Sequence, residues 1–417
     1  MKIVLISIGT RGDVEPFIAI ADLLIRDGHD VVCAFPAQFE NLATRNGSRF
    51  YPLKKEFLEM LNGPTGQAAL GGGKSFRERI SAMFALYRMN RKVSFEMLLQ
   101  QHELIQEEKP DRILHSLKAM YPVFWHQENP GKVIQVSPIP CVIHPTDNMA
   151  SIFLLGKDYG KRINRWSYRF SRKLSMTFTK KQLKRAQIAA TTSVDMVNSL
   201  VSEKFIYTIS DSLYHRDSSW PEHVQVLGYL ERDKTLDWKP SEELLGFLER
   251  NQEPLFITFG SMTNPDPVGK TQMFLDILVE KDIPAVINTA GGGLVRPEGF
   301  EHPDIFWTHD IPYDWIFPKV GAVIHHGGAG TTHLALKYGR PSMVIPHIPD
   351  QHLWNRIISN ANAGPKGQSI RKLDGNGLKN HIDILLHNPA FKENAMEISH
   401  QMKSEDNSEK ILRIITE

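Results

Sequence analysis

Along most of the chain, apolar runs of strand length alternate with stretches whose apolar residues return at helical spacing. The first run, Lys2–Ile8, reads as a buried strand, and Pro16–Asp27 as the helix after it, with proline in the first turn and Gly28 as its stop. Asp30–Phe35 reads as the next strand, and Arg112–His115, Val133–Val136 and Ile188–Thr191 continue the series. A second series opens after Pro254 with Leu255–Phe259, Ala285–Asn288, Ile305–Trp307, Ala322–His325 and Met343–Pro346. Strand–helix alternation of this kind predicts parallel sheets covered by helices on both faces. Two blocks of it, joined by a connection around Ser210–Pro240, predict an α/β protein of two facing Rossmann-like domains.

The length agrees: 417 residues suit two domains of about 200 residues each. With 41% apolar and 23% charged residues, the composition is that of a soluble globular protein. No apolar run is long enough to predict a membrane-spanning helix. Met1–Ile8 has the look of a short signal peptide, but it lacks a small-residue cleavage site and runs straight into Gly9-Thr10-Arg11-Gly12, so a first strand is the better reading. Two cysteines, Cys33 and Cys141, cannot staple a chain of this length, and a reducing cytoplasm is the simple inference.

The net charge of +2 says little about partners, whereas its distribution says more. Residues 159–194 carry ten Lys/Arg and no Asp/Glu, interspersed with Trp166, Tyr168, Phe170, Leu174, Met176 and Phe178. One reading is an amphipathic surface that meets anionic membrane and admits a lipid-like molecule; the other is a solvated basic helix with a packed apolar face. Glycine-rich Gly63–Lys74 reads as a loop near the entrance to such a site.

In open parallel sheets, ligands bind beyond the carboxyl ends of strands. Three loops in such places carry candidate chemistry. Residues 322–334 read Ala-Val-Ile-His-His-Gly-Gly-Ala-Gly-Thr-Thr-His-Leu: a buried strand, a histidine pair, Gly327, Gly328 and Gly330, then a helix near Thr331. Glycines let the backbone approach a ligand, and a new helix offers free N–H groups and the positive end of its dipole. A diphosphate fits there, with His326, Thr331 and Thr332 as further donors; a tight turn with a packed histidine fits the same residues. In the N-terminal loop, Gly9–Pro16, either Asp13 or Glu15 reads as a cap for the first helix. Leu255–Phe259 ends in Gly260-Ser261, which is also an ordinary strand-to-loop turn.

Taken together, His325-His326-Gly327-Gly328-Ala329-Gly330-Thr331-Thr332, Gly339-Arg340-Pro341 and Asp350-Gln351 resemble the donor-site signature of family 1 glycosyltransferases. The resemblance is nearest to the sterol glucosyltransferases and the vancomycin-group antibiotic glycosyltransferases. It covers nearly the whole chain, is strong only at these loops, and implies the glycosyltransferase B architecture. The implied domains are 1–220, binding the acceptor, and 221–400, binding the nucleotide sugar, with a helix in 401–417 crossing back to the first. His326 and the amides of Gly328–Thr331 would hold the donor's phosphates, with Gly12, Ser261 and Gly330 close to them. Asp350 and Gln351 would bind hydroxyls of the transferred sugar; capping of the following helix is the plainer role for Asp350.

The segment Phe306–Phe317 resembles the one whose backbone reads the nucleobase, with Ile311 or Trp307 lining that pocket. Gly9-Thr10-Arg11-Gly12-Asp13-Val14-Glu15-Pro16 resembles the opening of the same enzymes, in which the aspartate is the general base; here that is Asp13. Plant members have histidine at that position, and His115 and His144 are further candidates. One departure stands out: Leu334 occupies the place of a ribose-binding glutamate in plant members, which leaves the nucleotide open between UDP and TDP.

The implied reaction is inverting transfer of a hexose to a hydroxyl of a small lipophilic acceptor (sterol, polyphenol, macrolide or lipid). Domain closure would bring Asp13 to the sugar. There is no Asp-x-Asp motif, so no metal and no cofactor are expected; His347 and His352 lack the spacing of a zinc site. Two rivals remain: a nucleotide-sugar epimerase of the same architecture, and a nonenzymatic membrane-surface binding protein. The expected location is the cytoplasm, with peripheral membrane contact through 159–194.

Overall fold

A computed structural model describes residues 1–67, 76–151, 157–188, 193–232, 238–264 and 266–417. The chain forms two compact units, one built from Met1–Gly66, Met83–Arg232 and Asp406–Glu417, the other chiefly from Asp233–Glu405.

The first unit is organised by a seven-stranded sheet of β1 (Lys2–Ile6), β2 (Asp30–Pro36), β3 (Arg49–Leu53), β4 (Arg112–His115), β5 (Val133–Ser137), β6 (Lys204–Tyr207) and β7 (Val224–Val226). Their order is β3-β2-β1-β4-β5-β6-β7, and every pairing is parallel. β1 and β5 are buried almost throughout, as parallel strands covered on both faces must be. Three strands are not evident from the pattern. β3 carries Pro52, which a sheet tolerates because β3 is an edge strand; β6 and β7 are only four and three residues long. Residues 189–191 of the strand expected at Ile188–Thr191 lie outside the described residues, as does the larger part of the expected loop Gly63–Lys74, whose Pro64–Gln67 form a short helical turn.

Helix α1 (Arg11–Arg26) starts five residues before Pro16, the start that the sequence pattern predicts. Thr10 is the extended N-cap, and the Asp13 carboxylate accepts its N–H at 2.8 Å, so the helix is already closed at its start when Pro16 is reached. Pro16 then lies inside the helix. Val14, Phe17, Ile18, Ala21 and Leu24 turn one face of α1 onto β1 and β2, in a cluster with Ile3, Leu5 and Phe35. The last helix, which closes this unit at Ser408–Thr416, adds Ile411 and Ile415 to the same core. Arg112 and Lys204, at the starts of β4 and β6, donate to the Ile415 and Ile414 carbonyls at 3.2 and 3.0 Å, which places cations at the negative end of that helix.

The second unit repeats the plan in five strands: β8 (Leu255–Thr258), β9 (Ala285–Asn288), β10 (Ile305–Thr308), β11 (Ala322–His325) and β12 (Ser342–Val344). They run in the order β10-β9-β8-β11-β12, again all parallel. Phe259, Phe274, Leu278, Ile287, Ile324 and Ile382 share its core. Cys33 and Cys141 are both buried and not joined in a disulfide, and burial pushes the Cys33 thiol up to about 12. Among the described residues, no helix is long and apolar enough to cross a membrane.

Candidate active site

The candidate loops follow the carboxyl ends of strands: β1 and β4 in the first unit, and β8, β10, β11 and β12 in the second. In the first unit, β1 leads into Ser7–Thr10 and then α1. Gly9 has a positive φ of 148°, and a Cβ there would lie 2.0 Å from Asp13 Oδ2, so only glycine lets the carboxylate fold back over the loop. Asp13 Oδ2 accepts from the Thr10 N–H at 2.8 Å and from the Thr10 hydroxyl at 3.3 Å, and the Lys118 ammonium donates to both carboxylate oxygens. Asp13 therefore acts as a cap and is also held by a cation; its side chain is 18% exposed. Gly12 is exposed in the first turn of α1, and a Cβ there would meet only the Thr10 hydroxyl at 3.9 Å. Glu15 pairs with Arg11 at 2.9 Å and with Arg232 at 3.4 Å.

His115 and His144 are both buried and both engaged. His115 spans the Ala119 carbonyl (2.8 Å) and Glu203 (2.9 Å). His144 meets the Tyr207 hydroxyl at 2.9 Å, and burial pushes it down to about 3. Both ring nitrogens of His115 are thus engaged, and His144 packs among Phe205, Tyr207 and Trp220.

The second unit gathers most of the remaining candidates around one imidazole. β11 ends at His325, and His326 follows as the chain turns into α2 (Ala329–Lys337), capped by Gly328. A Cβ at Gly260 would lie 2.8 Å from His326 Cε1, and one at Gly328 would lie 2.5 Å from its Nε2. The ring is thus clamped between the loop after β8 and the start of α2, and both backbones must be glycine at the contact. His326 is 8% exposed, and its buried Nδ1 has no partner. Burial holds it well below the ordinary histidine range, helped by His325 and His347, so the ring is neutral. A neutral imidazole can donate through one nitrogen, and an arriving anion would favour the protonated, doubly donating form.

The first helical turn adds amide donors. Thr332 N–H is the first to bond within the helix, to the Gly328 carbonyl at 2.9 Å, so the amides of Ala329, Gly330 and Thr331 precede the ladder. The α2 N-terminus, its glycines and a buried unpartnered imidazole together form an anion-binding arrangement. Thr331 is buried, its neighbour Thr332 turns its hydroxyl back to the Gly328 carbonyl, and Ser261 is exposed beside Gly260.

Asp350 and Gln351 open α3 (Pro349–Asn360), and they divide the roles differently from the sequence reading. Gln351 does the capping: its Oε1 accepts from the His347 N–H at 2.7 Å and the Ile348 N–H at 3.2 Å. It is buried against Gly327, where a Cβ would lie 3.2 Å from its own. Asp350 is half-exposed at the second helical position. The structure brings Gly260, His326, Gly328, Thr331 and Gln351 into one neighbourhood. Ile311 is buried in the loop before Tyr313–Ile316, and Trp307 packs on Phe300 at 6.3 Å as part of the core. Leu334 is buried. Among the described residues, no group of three His, Cys, Asp or Glu stands close enough to hold a metal ion.

Two contacts of the candidate residues are not evident from the sequence. Gly260 was singled out with Ser261 as an approach to phosphate, yet its tightest contact is with His326. Lys118 was not singled out at all, because only the fold brings β4's loop to β1's loop.

Residues 3–137 match the glycosyltransferase family 28 N-terminal domain, and residues 294–417 match the erythromycin biosynthesis protein CIII-like C-terminal domain. The sterol 3-beta-glucosyltransferase UGT80B1 of Arabidopsis thaliana is 28% identical over 97% of this chain and 66% of its own. A sterol 3-beta-glucosyltransferase of Pichia angusta is 24% identical over 97% of this chain and 32% of its own. The chain thus spans between about one third and just under two thirds of these relatives. In fold, it is similar to the glycotransferase of kitacinnamycin, with a TM-score of 0.73 and 16% identity over 99% of this chain and 98% of that one. It is likewise similar to the Streptomyces sp. SF2575 glycosyltransferase SsfS6 solved with thymidine diphosphate, with a TM-score of 0.63 and 16% identity over 99% of both chains.

Proposed function

We propose that this chain, which belongs to the family 1 glycosyltransferases, moves a hexose with inversion from a UDP- or TDP-sugar to a hydroxyl of a sterol-type or similarly lipophilic acceptor. The observation that carries the reading is His326: a neutral, buried, unpartnered imidazole clamped beside free helix amides. The relatives' names support the sterol-type acceptor, and the thymidine diphosphate in a structural neighbour supports a nucleoside diphosphate.

The acceptor oxygen bonds to the anomeric carbon as the bond to the diphosphate breaks. Charge grows on the leaving phosphate, where His326 and the amides of Gly328–Thr331 donate to it; fixed donors need no reorganisation at that moment. Asp350 and Gln351 orient the sugar, and Ser261, Gly12 and Gly330 border the diphosphate. Gln351 serves through its amide nitrogen, since its oxygen is committed to the helix. The backbone at Ile311 meets the base. Asp13 takes the acceptor's proton. An ordinary carboxylate cannot deprotonate a free alcohol, but the hydroxyl becomes acidic as its oxygen bonds to an oxocarbenium-like carbon.

Thermal unfolding in EDTA with UDP, TDP or NAD tests the donor half. UDP or TDP is expected to raise the midpoint through binding to the native state alone, by about 2.7 kcal/mol at a hundredfold excess over Kd. Stabilisation by NAD alone, or by no nucleotide, would sink the reading. Turnover is expected to persist in EDTA, and consumption of the sugar nucleotide without any acceptor would favour an epimerase.

Peripheral membrane contact belongs to the same proposal, and the helix Lys161–Arg185 supports it. Ile163, Trp166, Phe170 and Leu174 recur three or four residues apart and are all about half exposed or more, with Trp166 and Phe170 stacked at 5.2 Å. Arg162, Arg169 and Lys173 flank this stripe, a combination suited to an anionic bilayer surface. Flotation with phosphatidylserine vesicles is expected to carry the protein up. Trp166→Ser with Phe170→Ser should weaken binding by about tenfold or more. Self-association on light scattering, without flotation, would assign the stripe to a second copy instead.

A further inference from the structure

We propose that Lys118 is a positioning residue for Asp13, set in place by the buried His115–Glu203 pair. The proposal rests on the reading of Asp13 as the base.

His115 closes β4 and is completely buried. Its Nδ1 lies 2.8 Å from the Ala119 carbonyl and 3.1 Å from that of Ser116. Carbonyl oxygens only accept, so this nitrogen carries a hydrogen. The other ring nitrogen lies 2.9 Å from Glu203, which is 1% exposed overall and precedes β6. The ring therefore ties the turn 116–119 to an acidic group two strands away in the sheet. The turn is closed by the Ala119 N–H on the Ser116 carbonyl at 2.9 Å. It is also sewn to the end of β1: the Ser116 N–H donates to the Ile6 carbonyl at 2.9 Å, and the Ile8 N–H donates to the Ser116 hydroxyl at 3.2 Å.

Lys118 is carried on that fixed turn, with Nζ 3.0 Å from Asp13 Oδ1 and 3.1 Å from Oδ2. The two other side-chain contacts of Asp13, both from Thr10, fall on Oδ2. Among the described residues, Lys118 alone reaches Oδ1. Thr10 thus fixes where the carboxylate is, while Lys118 fixes how its plane is turned and which oxygen stays open to an acceptor. Lys118 is half exposed, so as a surface ion pair it contributes little to folding. Its effect belongs to orientation, where small displacements of a base have large kinetic consequences.

The test compares Lys118→Met and Lys118→Arg, each in the wild type and with Asp13→Asn, for kcat, donor KM and unfolding midpoint. Lys118→Met is expected to lower kcat by about tenfold, with donor KM and midpoint unchanged, and Lys118→Arg to restore most of it. In the Asp13→Asn background, Lys118→Met should change nothing further, since the two act as one unit. Undiminished kcat in Lys118→Met, or the same factor lost on top of Asp13→Asn, overturns the proposal. Full turnover in Asp13→Asn alone removes the base itself, an outcome told apart from failure of Lys118 by that single variant.

Discussion

Asp13→Asn is expected to cut turnover by about 10²- to 10⁴-fold, the range a positioned general base supplies. Asparagine is the informative replacement because it separates the two roles of the residue. Its amide oxygen still accepts the Thr10 N–H, so the start of α1 keeps its closure. What is lost is the charge near the helix N-terminus, which is worth about 0.3–1 kcal/mol at an exposed site, and the capacity to take a proton. The unfolding midpoint should therefore move by only a few degrees while kcat falls steeply. Donor KM and nucleotide-induced stabilisation should stay as they were, because the residues assigned to the diphosphate other than Gly12 belong to the second unit. A variant with more than half of wild-type kcat would show that the proton goes elsewhere.

His326→Ala carries the second large effect. Loss of one donor to a developing oxyanion costs about 10²- to 10³-fold in comparable sites. Here the ring also fills the space between Gly260 and Gly328, so its removal leaves the donor loops without their spacer. Nucleotide-induced stabilisation should disappear with turnover. The unliganded midpoint should fall less than for a typical core truncation, because the variant also removes a buried nitrogen with no partner. Gly260→Ala approaches the same result from the other side, since its Cβ would meet the ring at 2.8 Å. Persistence of the UDP or TDP effect in His326→Ala would place the phosphates away from this imidazole.

What was legible in the sequence follows the physics of each element. β1, β8 and β11 declare themselves because strands covered on both faces must be nearly all apolar. β3 hides behind Arg49 and Pro52, which an edge strand tolerates, and β7 is too short to show a period. The start of α1 was legible in principle, since Thr10 and Asp13 stand three apart in the manner of a capping pair; the proline at 16 drew the boundary too late. At the site, the glycine-histidine loop stood out because few structures need that many small residues after a buried strand. Gln351 shows the limit of reading by residue type: an amide suited to sugar hydroxyls also suits backbone N–H groups, and its oxygen is committed to two of them. Lys118 left no trace, because its meaning depends on a partner 105 residues earlier.

The closing helix of the first unit has a consequence for the order of synthesis. Ile411 and Ile415 fill its core, yet they leave the ribosome after every residue of the second unit. In chain terms the second unit is an insertion within the first. Folding from the N-terminus cannot proceed unit by unit: the first unit waits with part of its apolar surface uncovered while Asp233–Glu405, the larger part of the second, emerges. The unit begun first is thus the one whose core is filled last.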